Sequence, residues 1–89
     1  MSATAFTLEG RTASGIKAQS GVVAADPRVL PLGTVIRVSS AGPYSGKYVV
    51  ADTGRQIRGM EIDIYVRTPG EARRFGRKQV RVQILQRAK

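Results

Sequence analysis

Residues 49–65 read VVADTGRQIRGMEIDIY, and the arrangement of this stretch guides the interpretation of the whole chain. It contains two runs rich in β-branched residues, a composition typical of strands, on either side of a loop with two glycines. Each run places one aspartate at or near that loop, Asp52 and Asp63 respectively. The chain has a third aspartate, Asp26, but neither histidine nor cysteine. Acid–base chemistry therefore depends on a small number of carboxyl groups.

The segment EIDIY predicts a strand with one buried face and one accessible face. Because successive side chains of a strand point to opposite faces, Ile62 and Ile64 lie on one face and Asp63 on the other. A carboxyl group anchored in this way can act as a general acid when burial or a neighbouring carboxylate raises its pKa. We expect Asp52 to lie beside Asp63 and to supply that repulsion.

Length and composition indicate a single domain, residues 1–89, with a core of about residues 4–85. A hydrophobic fraction of 42% is enough for a compact core, although the chain is near the lower size for one that has no disulfides. No apolar run reaches the roughly 18 residues that a transmembrane helix needs. The first residues also lack the basic and apolar regions of a signal peptide.

The formal charge of +9 favours an anionic partner such as an acidic polymer, a nucleic acid or a membrane surface. The basic residues are concentrated in the C-terminal third of the chain. Charge alone does not choose among these partners, and a solvated basic face is the alternative explanation.

We predict a mainly β protein whose six short strands occupy residues 4–8, 21–25, 34–38, 48–51, 62–66 and 79–85. Thr68 is followed three residues later by Glu71, a capping-box pattern that predicts a short helix ending at Gly76. The last strand alternates regularly, and its expected core-facing residues are Val80, Val82 and Ile84.

A weak internal repeat relates the two halves of the chain. The sequence LG before TVIRV, within residues 32–38, resembles FG shortly before KQVRV, within residues 75–82. Strand, strand, short helical turn and strand therefore occur twice. Six short strands with pseudo-twofold symmetry suggest a small closed β-barrel, because closure removes exposed strand edges.

Five motifs occur in order along the chain: TASG at 12–15, VAADPRVLPLGT at 23–34, VADTG at 50–54, IRGMEIDIY at 57–65 and EARRFG at 71–76. Together they resemble the 3D domain, which is named for three aspartates. That domain occurs in the membrane-bound lytic transglycosylase A family and in stationary-phase survival muralytic proteins. The resemblance implies a six-stranded double-psi β-barrel with one or two short helices.

The resemblance also implies the site residues. Asp26, Asp52 and Asp63 match the three family aspartates, with Asp63 as the general acid/base and Asp52 beside it as a modulator or substrate ligand. The implied substrate-binding residues are Thr12, Ser14, Thr53, Gly54 and Tyr65. No cofactor and no metal are implied.

The implied activity is lytic cleavage of the bond between N-acetylmuramic acid and N-acetylglucosamine in peptidoglycan. The 6-hydroxyl of the muramic acid attacks intramolecularly and gives 1,6-anhydro-muropeptides, so a second carboxylate is not obligatory. The implied partners are glycan strands and anionic wall polymers, and the implied location is extracytoplasmic, in the cell wall or secreted. We expect a monomer.

Other interpretations of the same residues remain open. Asp26 before Pro27 also fits a helix N-cap, and Asp52 before Thr53 also fits an Asx-type turn. A non-catalytic, expansin-like wall-binding module would use the same barrel without cleavage. DTG also occurs in aspartic proteases, but the charged sequence after it argues against that class. A nucleic-acid-binding barrel rests on charge alone, and the few aromatic residues argue against that partner.

Overall fold

The computed structural model describes residues 1–7, 21–53, 57 and 59–88. Within these ranges, seven strands and one α-helix are present, together with a short 3₁₀ turn at Gly42–Tyr44. The strands are β1 (Ser2–Phe6), β2 (Val22–Ala25), β3 (Val35–Ser39), β4 (Gly46–Asp52), β5 (Glu61–Tyr65), β6 (Lys78–Gln79) and β7 (Arg81–Gln86). The helix, α1, spans Pro69–Phe75 and lies between β5 and β6. The predictions of mainly β structure and of a short helix are confirmed.

All seven strands belong to one sheet, in the order β6-β1-β5-β2-β4-β3-β7. The pairing has an approximate twofold pattern. In one half of the pattern, β1 pairs with β5 in parallel and with β6 antiparallel. In the other half, β4 takes the place of β1 and pairs with β2 in parallel and with β3 antiparallel. The two remaining antiparallel pairs, β2 with β5 and β3 with β7, each join a strand to its counterpart in the other half of the chain. This pattern agrees with the internal repeat seen in the sequence.

The last predicted strand, residues 79–85, is divided into β6 and β7, so the count is seven rather than six. The division occurs at Val80, where the chain changes partner from β1 to β3. Val80 exchanges hydrogen bonds with Met1, which donates its amino group to the Val80 carbonyl and accepts from the Val80 N–H. Because one residue separates β6 from β7, the sheet must curve until its two ends approach each other.

A six-stranded closed barrel is not what the described residues form, because no ladder pairs β6 with β7 and the sheet stays open there. The curved sheet nevertheless encloses a continuous apolar core. Ile62 and Ile64 of β5 are fully buried in it, as their alternation with Asp63 predicts, and Phe75 of α1 packs against the same cluster. The double-psi chain crossing stays a prediction.

One core prediction is wrong: Ile84 has 41% of its surface exposed. Its neighbour two positions earlier, Val82, is partly buried and packs against the core. Among the described residues, β7 is the terminal strand of the sheet and pairs only with β3, so the alternation of side chains continues beyond the point where the core ends.

Local sequence signals set the ends of α1. The Thr68 side chain accepts a hydrogen bond from the Glu71 N–H at 3.1 Å, as the capping-box pattern predicts. At the other end, Gly76 has a φ of 65°, and its N–H donates to the Ala72 carbonyl. This conformation favours glycine, so the helix ends where the sequence predicts.

Candidate functional site

A row of side chains crosses four neighbouring strands at the centre of the sheet. Thr4 of β1 lies opposite Asp63 of β5, Asp63 lies opposite Ala24 of β2, and Ala24 lies opposite Asp52 of β4. Opposite residues in a sheet point to the same face, so the two aspartates flank the small side chain of Ala24. Two interstrand spacings separate their Cα atoms, which is roughly 10 Å.

Asp63 is half-buried, and its surroundings favour the protonated acid. Its Oδ1 accepts a hydrogen bond from the Thr4 hydroxyl at 2.9 Å. Burial raises the pKa of Asp63, whereas the hydrogen bond from Thr4 opposes that rise. Among the described residues, burial and not the Asp52 carboxylate is the cause of the raised pKa, which differs from our expectation of repulsion between the two carboxylates.

An irregularity in β4 brings Asp52 into the row. Val22 and Val23 pair with Val49 and Val50, but the next residue, Ala24, pairs with Asp52 rather than with Ala51. The extra residue reorients the end of the strand, as bulges commonly do beside functional sites. Asp52 also accepts a hydrogen bond from the N–H of Thr53 at 2.9 Å. An Asx-type turn would use the N–H two residues on, at Gly54, which lies outside the described residues, so that interpretation stays a prediction.

Asp26 lies two residues beyond Ala24 along the chain and is only 3% exposed. Its Oδ1 accepts from the backbone N–H and the Nε of Arg28, at 3.0 and 3.1 Å. Its Oδ2 accepts from Nη2 of Arg28 at 3.0 Å and from the N–H of Gly59 at 2.9 Å.

These contacts tie the turn after β2 to the loop that leads into β5. They also hold the pKa of Asp26 far below its usual range, with the Arg28 side chain as the largest cause. A carboxylate in this setting stays ionised, so it suits a positioning role better than proton donation. The local prediction of a helix N-cap at Asp26 is not confirmed, because the described residues after it form a turn and not a helix, although Oδ1 does accept a hydrogen bond from a backbone N–H there. The assignment of Asp26 to the site rests on the family resemblance.

A cleft of about 320 Å³ lies beyond Asp63, at the C-terminal end of β5. Its lining includes Tyr65 of β5, Tyr44, Tyr48, Arg67 and Glu71. These are all three tyrosines of the chain. Tyr65 also packs edge-to-face on Phe6, with 5.8 Å between the ring centroids.

Of the five cleft residues named above, Tyr65 alone is among the substrate-binding residues predicted from the sequence. Tyr44 and Tyr48 lie before Asp52 in the chain, and Arg67 and Glu71 lie after Asp63, so no single short motif brings these four residues together. The capping-box pattern includes Glu71 and predicts that its carboxylate accepts from the Thr68 N–H. In the structure that carboxylate accepts from the Tyr44 hydroxyl instead.

Three of the predicted substrate-binding residues, Thr12, Ser14 and Gly54, lie outside the described residues. Thr53 is exposed next to Asp52. In the part of the chain that the structure describes, no cluster of three acidic side chains could hold a metal ion. No helix in the described ranges is long and apolar enough to cross a membrane.

Comparison with known proteins identifies relatives of this chain. Residues 21–86 match the family described as the 3D domain. The cell wall-binding protein YocH of Bacillus subtilis strain 168 is 36% identical over 94 residues, covering 96% of this chain and 31% of YocH. YabE of the same organism, named as a cell wall shaping protein, is also 36% identical over 94 residues, covering 96% of this chain and 22% of YabE. The chain therefore spans less than a third of either relative.

Among solved structures, the chain is similar to the lytic transglycosylase MltA of Escherichia coli. The TM-score is 0.73 at 24% identity, covering 92% of this chain and 29% of MltA. An MltA structure with bound chitohexaose gives a TM-score of 0.74 at 22% identity, with the same coverage of both chains. Similarity at this level of identity shows a shared fold.

Proposed function

Because the chain belongs to the 3D domain family, we propose that it binds peptidoglycan glycan strands and cleaves them as a lytic transglycosylase. The proposed bond lies between N-acetylmuramic acid and N-acetylglucosamine, and the proposed products are 1,6-anhydro-muropeptides. A place at the cell wall, outside the cytoplasm, belongs to the same proposal. The double-psi β-barrel is the topology that we propose for the complete domain.

The observation that carries the proposal is the setting of Asp63. Fully buried isoleucines fix its backbone on either side, burial raises its pKa, and Thr4 orients one carboxyl oxygen. The second oxygen is then available for a substrate. A carboxyl group with a raised pKa at a fixed position is what proton delivery to a glycosidic oxygen requires.

In the proposed reaction, protonated Asp63 gives its proton to the glycosidic oxygen as the bond from that oxygen to C1 of the muramic acid breaks. The 6-hydroxyl of the same sugar attacks C1, and the Asp63 carboxylate takes the proton that this hydroxyl loses. Asp63 therefore acts first as an acid and then as a base. No water molecule enters the reaction.

The other two aspartates have supporting roles in this proposal. Asp52 faces the substrate across Ala24 and either holds a sugar hydroxyl or stabilises positive charge that develops on the sugar ring. Asp26 keeps the loop before β5 in place through Gly59 and so positions Asp63. Thr12, Ser14, Thr53, Gly54 and Tyr65 are the proposed substrate contacts.

A wall-binding module without catalysis is the second candidate. The name of YocH, a cell wall-binding protein, and the charge of +9 both favour it. The two candidates share a fold and a ligand, so they differ only in whether a bond is broken.

Product analysis separates the two candidates. The protein is incubated with purified peptidoglycan, and the soluble fraction is analysed by mass spectrometry for 1,6-anhydro-muropeptides. Lytic activity releases them, each lighter by one water molecule than the hydrolytic product. Retention on the insoluble wall without any released product would favour the binding module.

A further inference from the structure

The cleft beyond Asp63 has polar groups that the proposed reaction does not use. The Arg67 guanidinium is exposed at the cleft and has no ion pair or hydrogen bond with any residue that the structure describes. The Tyr65 hydroxyl likewise has no hydrogen-bond partner among the described residues. The three tyrosine rings are half-buried and present apolar surface around these groups.

The cleft is also pre-organised. The Tyr44 hydroxyl donates to Oε2 of Glu71 at 3.2 Å, and the Tyr44 ring packs edge-to-face on Phe75 with centroids 5.2 Å apart. Glu71 therefore stands as a fixed acceptor, anchored to α1. Gly21 lines the same cleft, and a Cβ added there would meet no atom of the described residues within 4 Å.

We propose that this cleft binds a carboxylate-bearing substituent of the glycan strand. Arg67 pairs with the carboxylate, the tyrosine rings pack on its apolar atoms, and Glu71 accepts from a neighbouring amide N–H. A neutral sugar offers no charge for Arg67 to pair with, whereas the planar guanidinium is well suited to bind a carboxylate.

The inference rests on the proposed function and names a substrate feature for it. Tyr65 is two residues from Asp63 on β5, or about 7 Å along the strand, so a group in the cleft belongs to a sugar near the cleaved bond. Muramic acid carries a lactyl group that ends either in a free carboxylate or in a short peptide with carboxylates of its own. Both sources present the same chemistry to Arg67.

The test measures binding by calorimetry in an Asp63→Asn background, so that no glycan is cleaved. Three ligands are compared: a neutral chitooligosaccharide, a peptide-free glycan of alternating N-acetylglucosamine and N-acetylmuramic acid, and the same glycan with its peptides. Arg67→Gln is the test variant. Arg73→Gln is the matched control, because Arg73 is exposed on α1 and does not line the cleft.

Arg67→Gln is expected to weaken binding of the carboxylate-bearing glycans by about tenfold, the effect of one charge-assisted hydrogen bond at a partly exposed site. Binding of the chitooligosaccharide stays unchanged, and Arg73→Gln has no effect. A loss confined to the peptide-bearing glycan assigns the carboxylate to the peptide. A loss confined to the peptide-free glycan assigns the carboxylate to the lactyl group. A loss shared by both glycans shows that the cleft accepts a carboxylate from either source.

Four results would overturn the inference: equal weakening for all three ligands, no weakening for any, the same loss in Arg73→Gln, or failure to bind any of the glycans. Because the assay measures binding alone, these results are independent of anhydro-product release by the wild type, which tests the proposed function itself.

Discussion

Replacement of Thr4 by valine removes the hydroxyl that donates to Asp63 at 2.9 Å and leaves the shape of the side chain almost unchanged. A hydrogen bond to a charged group contributes about 1.5–3 kcal/mol when it is well buried. Thr4 and Asp63 are both half-buried, so we expect Thr4→Val to lower the free energy of unfolding by about 1 kcal/mol at neutral pH.

The pH dependence of this loss has a definite sign. The bond favours the carboxylate, so its removal lets the pKa of Asp63 rise further above the ordinary value. The difference in stability between wild type and Thr4→Val is therefore largest where Asp63 is ionised, and it shrinks as the pH falls and the carboxyl group becomes protonated. The rate of product release should correspondingly persist to higher pH in Thr4→Val, because the acid form survives there.

Urea unfolding at acidic and neutral pH, together with an NMR titration of the Asp63 carboxyl carbon, checks this prediction. Thr4→Ser is the control, since serine retains the hydroxyl donor, and its titration should follow that of the wild type. An unchanged or lowered pKa of Asp63 in Thr4→Val would refute the assignment of this hydrogen bond.

Further predictions concern stability and are checked by urea unfolding. Asp26→Asn should destabilise the protein at neutral pH. The difference in free energy of unfolding between variant and wild type should diminish as the pH falls below about 3.9, because the pKa of Asp26 is lowered in the folded state. A difference that does not depend on pH would contradict this. Ile64→Ala should lower the free energy of unfolding by about 2–5 kcal/mol. Ile84→Ala, at the exposed end of β7, should lower it by at most about 0.5 kcal/mol. Similar losses for the two variants would contradict the described core. Thr68→Ala should cost about 1 kcal/mol through loss of the helix cap, and no cost would argue against the capping bond.

The sequence predicted features that depend on neighbouring residues. The cap at Thr68, the helix end at Gly76 and the alternation of Ile62, Asp63 and Ile64 all depend on residues within one turn or one strand. Propensity and periodicity act at that range, so the sequence could predict these features, and the structure confirms them.

Features that depend on the partner of a strand were not predictable in the same way. Val80 divides the last strand because its two parts pair with different neighbours, and Ile84 is exposed because the core ends before it. The irregular pairing of β2 with β4, which places Asp52 opposite Ala24, corresponds to no pattern in the sequence that predicts it. Each of these features depends on where the chain folds back on itself.

The candidate site also combines features that the sequence predicts with features that only the fold reveals. The three aspartates could be selected from motifs, and the register of β5, β2 and β4 brings Asp63 and Asp52 into one row. The convergence of Tyr44, Tyr48 and Tyr65 could not be selected, because these residues come from separate elements. The cause of the raised pKa of Asp63 also required the structure, since burial and charge repulsion predict the same direction.

Asp63→Asn tests the central claim most directly. Asparagine keeps the size of the side chain and can still accept from Thr4, but it has no proton to deliver. The wild-type protein loses stability as the pH rises through the raised pKa of Asp63, because a partly desolvated carboxyl group must then ionise. The neutral amide of the variant avoids that cost. The variant should therefore be folded and at least as stable as the wild type at pH 7.

The decisive measurement is mass spectrometry of the products that wild type and Asp63→Asn release from peptidoglycan, with urea unfolding of both proteins as the folding control. We predict 1,6-anhydro-muropeptides from the wild type and none from the folded variant. Release of the same products by Asp63→Asn at a similar rate, or no release by the wild type, would contradict the assignment of Asp63 as the catalytic acid.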